Sequence, residues 1–189
     1  MKLYLANTRG LDPAQARCLP RSGRRGSAFG LSLLALALEE RGLPALPSLG
    51  ENARGKPVFP DHPELCFSLS HSGDYVACAL GNTPLGVDVQ CRRPLSPALS
   101  RLAQDESAGG LEFFVLWTLR ESLFKLTGEG ELRHTPFRRD AAGRPVAPDF
   151  PALCFANYDI GPEAALALAW GTPDPAPELT VVPGSALLG

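Results

Sequence analysis

An acid and an amide on one predicted strand are candidate residues of a reactive site. In the segment Leu85-Gly-Val-Asp-Val-Gln90, Val87 and Val89 alternate with Asp88 and Gln90. Because neighbouring side chains of a strand point to opposite faces, the acid and the amide share one face. A half-exposed strand also turns polar residues to water for no reason beyond solvation, so this alternative stays open.

A predicted helix over residues 111–127 carries a second polar pair, Glu121 and Lys125. These side chains lie one turn apart on one face of the helix, and Gly128 and Gly130 end it. Such a pair is commonly an exposed ion pair that contributes about 0.3–0.5 kcal/mol. If the helix packs on the strand, both polar pairs converge where the two elements meet.

Three arginines, Arg21, Arg24 and Arg25, precede a second predicted helix over residues 27–41, for which Ser27 is the expected N-cap. The helix dipole is positive at that end and repels them. A bound anion resolves the conflict, since amides at a helix N-terminus and guanidinium groups together bind phosphate. A solvated basic loop explains the same residues equally well.

Hydroxyl and imidazole groups gather in Phe67-Ser-Leu-Ser-His-Ser-Gly73, at the end of another predicted strand. Their donors suit phosphate oxygens. Ser70 beside His71 also suggests a serine hydrolase, but adjacent strand residues point to opposite faces and the Gly-x-Ser-x-Gly elbow is missing. Phosphate binding is the better interpretation.

The chain contains an internal repeat. Residues 55–67 recur as residues 143–155 with nine of thirteen positions identical, and an apolar strand follows each copy, over residues 75–80 and 164–170. With one predicted helix to cover each sheet, the pattern predicts an α+β fold of two similar lobes related by pseudo-twofold symmetry, each a small, mainly antiparallel sheet on a long helix. The predicted divisions are an N-terminal lobe over residues 1–90, a C-terminal lobe over 91–171, and a loosely attached proline-rich segment over 172–189.

Composition excludes several classes of protein. The 189 residues are 44% hydrophobic and 20% charged, with a net charge of −2, which lacks the basic excess of a nucleic-acid-binding protein. The longest apolar run, residues 33–38, is too short for a membrane span, and the first ten residues lack the pattern of a signal peptide. Five cysteines without a Cys-x-x-Cys pair and three scattered histidines argue against disulfides and zinc. A cytoplasmic protein is expected.

The order and spacing of these segments resemble the phosphopantetheinyl transferases, specifically the two-lobed Sfp type. The resemblance covers roughly residues 1–170. It is carried by Met1-Lys-Leu-Tyr4, Gly55-Lys-Pro57, the Phe67–Gly73 and Leu85–Gln90 segments, and Trp117-Thr-Leu-Arg-Glu-Ser-Leu-Phe-Lys125 followed by Gly128-Glu-Gly130. The Gly-Val-Asp strand followed by Trp-Thr-x-x-Glu-Ser-x-x-Lys is the family's signature.

The resemblance implies transfer of the 4'-phosphopantetheine arm of coenzyme A to a serine of an acyl or peptidyl carrier protein, with 3',5'-ADP released. It implies that Asp88 and Glu121, with Gln90 beside them, hold Mg²⁺, that Lys125 contacts the phosphate and leaving group, and that Glu121 is the candidate base. The nucleotide phosphates would be held by Lys56, Ser70, His71, Arg21, Arg24 and Arg25. One chain with two lobes is expected to act as a monomer.

The sequence departs from the family pattern at three positions. Gln90 replaces the usual second acid of the strand, Arg120 replaces the lysine before Glu121, and Ala35 stands near a basic position of the first helix. The loss of an acid leaves open a weakened, transferase-like binding module for coenzyme A or a carrier protein. Basic residues of the segment after Gln90 either steer an acidic carrier or are solvated loop charges; they are Arg92, Arg93 and Arg101.

Overall fold

The fold is a mixed α+β arrangement of two long helices and several small sheets. The structure is a computed structural model that describes residues 1–19, 25–96, 111–128, 134–171 and 175–189, without the side chains of residues 25–27. Within these ranges the elements are β1 (Lys2–Asn7), a 3-10 turn (Pro13–Gln15), α1 (Arg25–Glu39), β2 (Gly50–Glu51), β3 (Pro57–Val58), β4 (Cys66–Ser72), β5 (Tyr75–Gly81), β6 (Leu85–Cys91), α2 (Phe113–Thr127), β7 (Arg138–Arg139), β8 (Pro145–Val146), β9 (Cys154–Tyr158), β10 (Ala164–Trp170), β11 (Leu179–Val182) and a 3-10 turn (Gly184–Leu187).

The two main sheets have related strand orders. The first is β11-β1-β5-β4 and the second is β6-β10-β9, while β2–β3 and β7–β8 form separate two-stranded hairpins. The pairs β1–β5 and β5–β4 are antiparallel, as are β6–β10 and β10–β9, whereas β11 joins β1 in parallel. Strands β4 and β6 are therefore edge strands of different sheets.

Three apolar cores stack the elements in layers. Phe29 and Leu33 of α1 are buried against the first sheet, and Leu119 of α2 is buried against the second. Between the sheets, residues such as Leu5 and Val89 form a third core. The order of layers is α1, first sheet, second sheet, α2, so the outer face of each sheet is covered by one helix.

The sequence repeat folds into the same turn twice. The amide of Asn52 donates to the carbonyl of Lys56 at 2.9 Å, and the amide of Asp140 donates to that of Arg144 at 2.9 Å. In each turn the Asn or Asp side chain also accepts two amides at 2.9–3.0 Å. A glycine with φ +74° or +78°, Gly55 or Gly143, completes each turn, as the left-handed region requires.

Helix ends agree with the sequence at their C-termini but not at their N-termini. Gly42 and Gly128 follow the helices with φ +81° and +69°. The predicted N-cap at Ser27 is wrong, because α1 already includes Arg25. Helix α2 begins at Phe113 because the Glu112 carboxylate accepts two amide hydrogens of its first turn. Ser and Asp are the usual caps, so a Glu cap was not expected.

The expectation of a loosely attached C-terminal segment is wrong for residues 175–189. Strand β11 extends the first sheet, Val182 is 6% exposed, and Leu187 is completely buried in the core beneath α1. The Arg17 amide donates to the carbonyl of Leu187 at 2.9 Å. Apolar residues beyond the prolines make this attachment. The expectation was wrong because it considered the proline content of the segment and not these residues.

The second sheet contains β6, which the sequence-based division at residue 90 had assigned to the first lobe. Strand β6 pairs with β10 along its whole length, from Leu85 opposite Trp170 to Cys91 opposite Ala164.

All five cysteines are free thiols, with Cys78 fully buried. In the described ranges, no helix combines the length and apolar character needed to cross a membrane.

Helix α2 approaches β6 most closely at Gly86. A Cβ atom added there would overlap the carbonyl oxygen of Ser122 and lie 2.7 Å from the amide nitrogen of Leu126. These are backbone atoms of a packed helix, so they cannot rotate away. The glycine therefore sets the distance between helix and strand.

We expect Gly86→Ala to lower the free energy of unfolding by at least about 2 kcal/mol, because overpacking forces the helix off the sheet. Urea denaturation measures the change. Gly171→Ala is the control, since a Cβ atom there meets nothing within 4 Å, and its effect should stay within about 0.5 kcal/mol. Equal stability of the two variants would contradict the close contact.

Candidate functional site

The two sheets meet along a row of three serine hydroxyls, which we call the serine seam: Ser68, Ser70 and Ser72 of β4. Their oxygens accept the backbone amides of Val87, Val89 and Cys91 of β6 at 3.1, 3.1 and 3.0 Å. The residue numbers rise together, so the two edge strands run parallel. Side-chain oxygens here take the place of backbone carbonyls and satisfy amides that would otherwise lie buried without a partner.

Asp88 lies at the middle of the serine seam. Its Oδ1 accepts hydrogen bonds from the Ser70 hydroxyl at 2.7 Å and from the Lys125 ammonium group at 2.7 Å. Lys125 also donates to the carbonyl of Val87 at 3.0 Å. With 6% of its surface exposed, Asp88 is not a solvent-facing strand residue. The structure therefore brings together the acid and the lysine that the sequence analysis singled out.

Gln90 is oriented by two hydrogen bonds from its amide nitrogen. Nε2 donates to Ser72 Oγ at 3.0 Å and to the carbonyl of Cys91 at 3.3 Å. A carbonyl can only accept, so nitrogen must face it. In the described part of the chain, no hydrogen bond reaches Gln90 Oε1 or Asp88 Oδ2. Both oxygens are of the kind that Mg²⁺ prefers.

Glu121 is partly buried on α2, one turn before Lys125, and it has interactions of its own. The preceding Arg120 donates to the carbonyl of Thr135 at 3.0 Å and so ties α2 to the chain after it. Among the described residues no three His, Cys, Asp or Glu side chains cluster as a metal site. Gln90 reduces the acids of the predicted ligand set to two, Asp88 and Glu121.

Lys56 lies near the end of the serine seam at which β6 begins. Its ammonium group donates to the carbonyls of Leu85 at 2.8 Å and Lys125 at 2.7 Å. Burial lowers the pKa of this ammonium group. At about 3.3 Å per strand residue, Leu85 lies about 10 Å from Asp88 along β6. The structure therefore separates Lys56 from Ser70 and His71, with which the sequence analysis grouped it.

His71 is exposed on β4, whereas the neighbouring Ser70 is 7% exposed. The Ser70 hydroxyl bonds to Asp88, so the pair does not form the nucleophile and base of a hydrolase. Arg21 and Arg24 lie outside the described residues, and Arg25 is described only as the first residue of α1.

Helix α1 runs opposite to β4. Near its middle Gly30 lies beside Leu69 of β4. Just past its end, Arg41 donates at 3.3 Å to Asn82, which follows β5 beside the start of β4. The beginning of α1 therefore points to the end of β4, where His71 lies.

A cavity of about 830 Å³ opens between the first hairpin, β4 and the end of α2. Lys125 lines this cavity and also contacts Asp88, so the cavity adjoins the polar site. Most of its walls are apolar, and the apolar lining residues include Pro57, Phe59, Leu65, Phe67, Leu69 and Phe124. Its size matches that of sites for small organic ligands.

Arg92 has a structural position that the sequence did not reveal. Its guanidinium donates to the carbonyls of Gly161, at 3.1 Å, and Ala164, and it lies 3.3 Å from the Glu112 carboxylate that caps α2. Arg92 is therefore held by these contacts and is not a solvated loop charge, while steering of a carrier by this residue stays a prediction. Arg93 is exposed, and Arg101 lies outside the described residues.

Comparison with known proteins gives consistent relatives, although no family model matches the chain. The 4'-phosphopantetheinyl transferase Sfp of Bacillus subtilis (strain 168) is 28% identical over 151 residues, 71% of this chain and 67% of the relative. The 4'-phosphopantetheinyl transferase psf-1 of Bacillus pumilus is 36% identical over 87 residues, 40% and 37% of the two chains. The 4'-phosphopantetheinyl transferase AcpT of Escherichia coli O157:H7 is 30% identical over 110 residues, 51% and 56%.

The chain spans about two thirds of the length of Sfp and smaller shares of the other two relatives. Further relatives of the same name match over similar stretches. The resemblance drawn from the motifs is thereby confirmed: the chain is similar to several 4'-phosphopantetheinyl transferases of the Sfp type.

Proposed function

We propose that this protein transfers the 4'-phosphopantetheine group of coenzyme A to a serine of an acyl or peptidyl carrier protein. The observation that carries the proposal is the convergence of Asp88 and Lys125, 2.7 Å apart where β6 meets α2, in a chain whose relatives are named for this transfer.

The reaction exchanges one phosphorus–oxygen bond for another. The carrier serine oxygen bonds to the phosphorus that bears pantetheine, the bond from this phosphorus to the oxygen bridging the diphosphate breaks, and 3',5'-ADP leaves. The serine proton passes to a base, for which we propose Glu121. Such transfers depend mainly on positioning and on stabilising charge at phosphate oxygens.

The residues fit a magnesium ion. Asp88 Oδ2 and Gln90 Oε1 are oxygen donors without a hydrogen bond in the described ranges, and we propose that they and Glu121 hold the ion together with the coenzyme A diphosphate. When bound, Mg²⁺ supplies positive charge that stabilises the transferring phosphoryl group. Lys125 holds Asp88 in place and, from the rim of the cavity, can donate to a phosphate oxygen.

We propose that the nucleotide half of coenzyme A lies in the cavity beside Lys125, because this cavity is mostly apolar and is large enough for a base and a ribose. For the phosphates we keep Arg21, Arg24, Arg25 and His71, since the beginning of α1 and His71 lie at the same end of the first sheet. Lys56 is kept as a weaker candidate, because two carbonyls already engage its ammonium group.

We further propose two lobes related by a pseudo-twofold axis, supported by the repeated turns and strand orders. We draw the boundary before Leu85 rather than at residue 90, because β6 pairs with β10. A single chain then supplies both lobes and the site between them, which favours a monomer. Free cysteines are usual in a reducing compartment, and they support a cytoplasmic location.

A labelling experiment tests the transfer. Coenzyme A with a fluorophore on its thiol is mixed with a carrier domain, with and without Mg²⁺, and we expect the fluorophore to become covalently attached to the carrier only with the metal. The relatives do not favour the alternative of a binding module, which would bind labelled coenzyme A without labelling protein. Hydrolysis of coenzyme A without attachment to the carrier would also refute the proposal.

We predict that Asp88→Asn and Glu121→Gln each lower turnover by about 100-fold or more, because each removes a charged ligand of the proposed metal site. The amide at residue 88 keeps the shape of the side chain and so limits the loss of stability. Steady-state labelling rates measure the effect, and Asp61→Asn, at an exposed acid, should leave them unchanged. Near-normal turnover in either site variant would place the metal elsewhere.

We predict that Gln90→Glu tightens Mn²⁺ binding to the protein without coenzyme A, because it adds a negative charge to the ligand set. The same change removes the amide donor to Ser72 and Cys91, so the free energy of unfolding should fall by about 1–2 kcal/mol. Calorimetric titration and urea denaturation measure these effects. An inactive natural protein that becomes active with Gln90→Glu would instead establish the binding module.

A further inference from the structure

The three hydroxyls of the serine seam make the same backbone bond but differ in what else they touch. Ser70 donates to Asp88 Oδ1 at 2.7 Å, and Ser72 accepts from Gln90 Nε2 at 3.0 Å. In the described part of the chain, Ser68 has the Val87 amide as its hydrogen-bond partner and no other. Ser68 is therefore a matched control for substitutions at the other two serines.

We propose that Ser70 is a positioning residue for the carboxylate of Asp88. Its hydroxyl fixes Oδ1, so that Oδ2 is presented to a cation in one orientation. This inference rests on the proposed function, in which Asp88 is a metal ligand. It assigns Ser70 to the carboxylate rather than to a phosphate of coenzyme A.

The hydrogen count supports this role. A serine hydroxyl has one proton to donate, and Ser70 donates it to Asp88 while its oxygen accepts the Val89 amide at 3.1 Å. A phosphate oxygen also needs a donor, so Ser70 can bind phosphate only by releasing Asp88. At 7% exposure the hydroxyl faces the protein interior.

The hydrogen bonds to the Asp88 carboxylate also support a positioning role for Ser70. Ser70 and Lys125 both donate to Oδ1, and this leaves the lone pairs of Oδ2 for a cation. Groups that orient a ligand in this manner typically change metal affinity or activity by about 10–100-fold when removed. Ser72 orients Gln90 by the same device, through the amide nitrogen.

The test compares Ser70→Ala with Ser68→Ala. Each variant removes one oxygen from β4 and leaves one β6 amide without its acceptor, so both lower the melting temperature; Ser70→Ala lowers it further, because the hydrogen bond to Asp88 is also lost. Binding of Mn²⁺ in the presence of coenzyme A is followed by electron paramagnetic resonance. We expect the dissociation constant for Mn²⁺ to rise about tenfold or more for Ser70→Ala and to change less than about twofold for Ser68→Ala.

Two results would overturn the inference. If both variants weaken Mn²⁺ binding equally, the seam only joins the sheets. The second result is that Ser70→Ala leaves Mn²⁺ binding unchanged but raises KM for coenzyme A. If KM for dephospho-coenzyme A, which lacks the 3'-phosphate, is then unchanged, Ser70 binds the 3'-phosphate.

The unmodified protein separates this inference from the proposed function. Label transfer without Mn²⁺ binding would refute the metal site, and with it the role of Ser70, but not the transfer. Absence of both would refute the inference and the function together.

Discussion

The hydrogen bonds between the serine seam and β6 are the interaction on which the rest of the site depends. Strands β4 and β6 are edges of different sheets, and each has backbone groups that need partners. Serine oxygens of β4 accept the amides of β6 at 3.0–3.1 Å, so the two edges lie side by side without forming one continuous sheet. The apolar core between the sheets, with Leu5 and Val89 among its members, excludes water behind this contact.

The position of α2 is the second constraint. Because residue 86 has no side chain, α2 lies directly on β6, and Lys125 reaches both Asp88 and the carbonyl of Val87. A mostly buried carboxylate is costly without a compensating charge, and removal of one partner of such a pair destabilises more than the pair itself stabilises. Lys125 thus has a structural role beside the one proposed in catalysis, and Lys56 and Arg92 use their charges to join backbone carbonyls in the same way.

Much of this arrangement can be predicted from the sequence, because it follows from periodicity. Alternation along β6 gives the shared face of Asp88 and Gln90, and spacing along α2 gives that of Glu121 and Lys125. The repeat predicts two similar lobes, and its two copies begin at matching turns at Asn52 and Asp140.

The contacts that escaped prediction are not periodic. The Glu112 cap, the contacts of Arg92 and the attachment of β11 each join residues that are distant in sequence or follow no common motif. Ser70 is a related case, since its type suggested a phosphate ligand and only the neighbouring strand reveals a carboxylate partner.

We propose that the serine seam and α2 together create a cation site at Asp88. Anomalous diffraction from crystals grown with coenzyme A and Mn²⁺ tests it most directly, because it locates the metal independently of activity. We expect one manganese peak bonded to Asp88 Oδ2 and a carboxylate oxygen of Glu121. A manganese peak with neither residue among its ligands would contradict it.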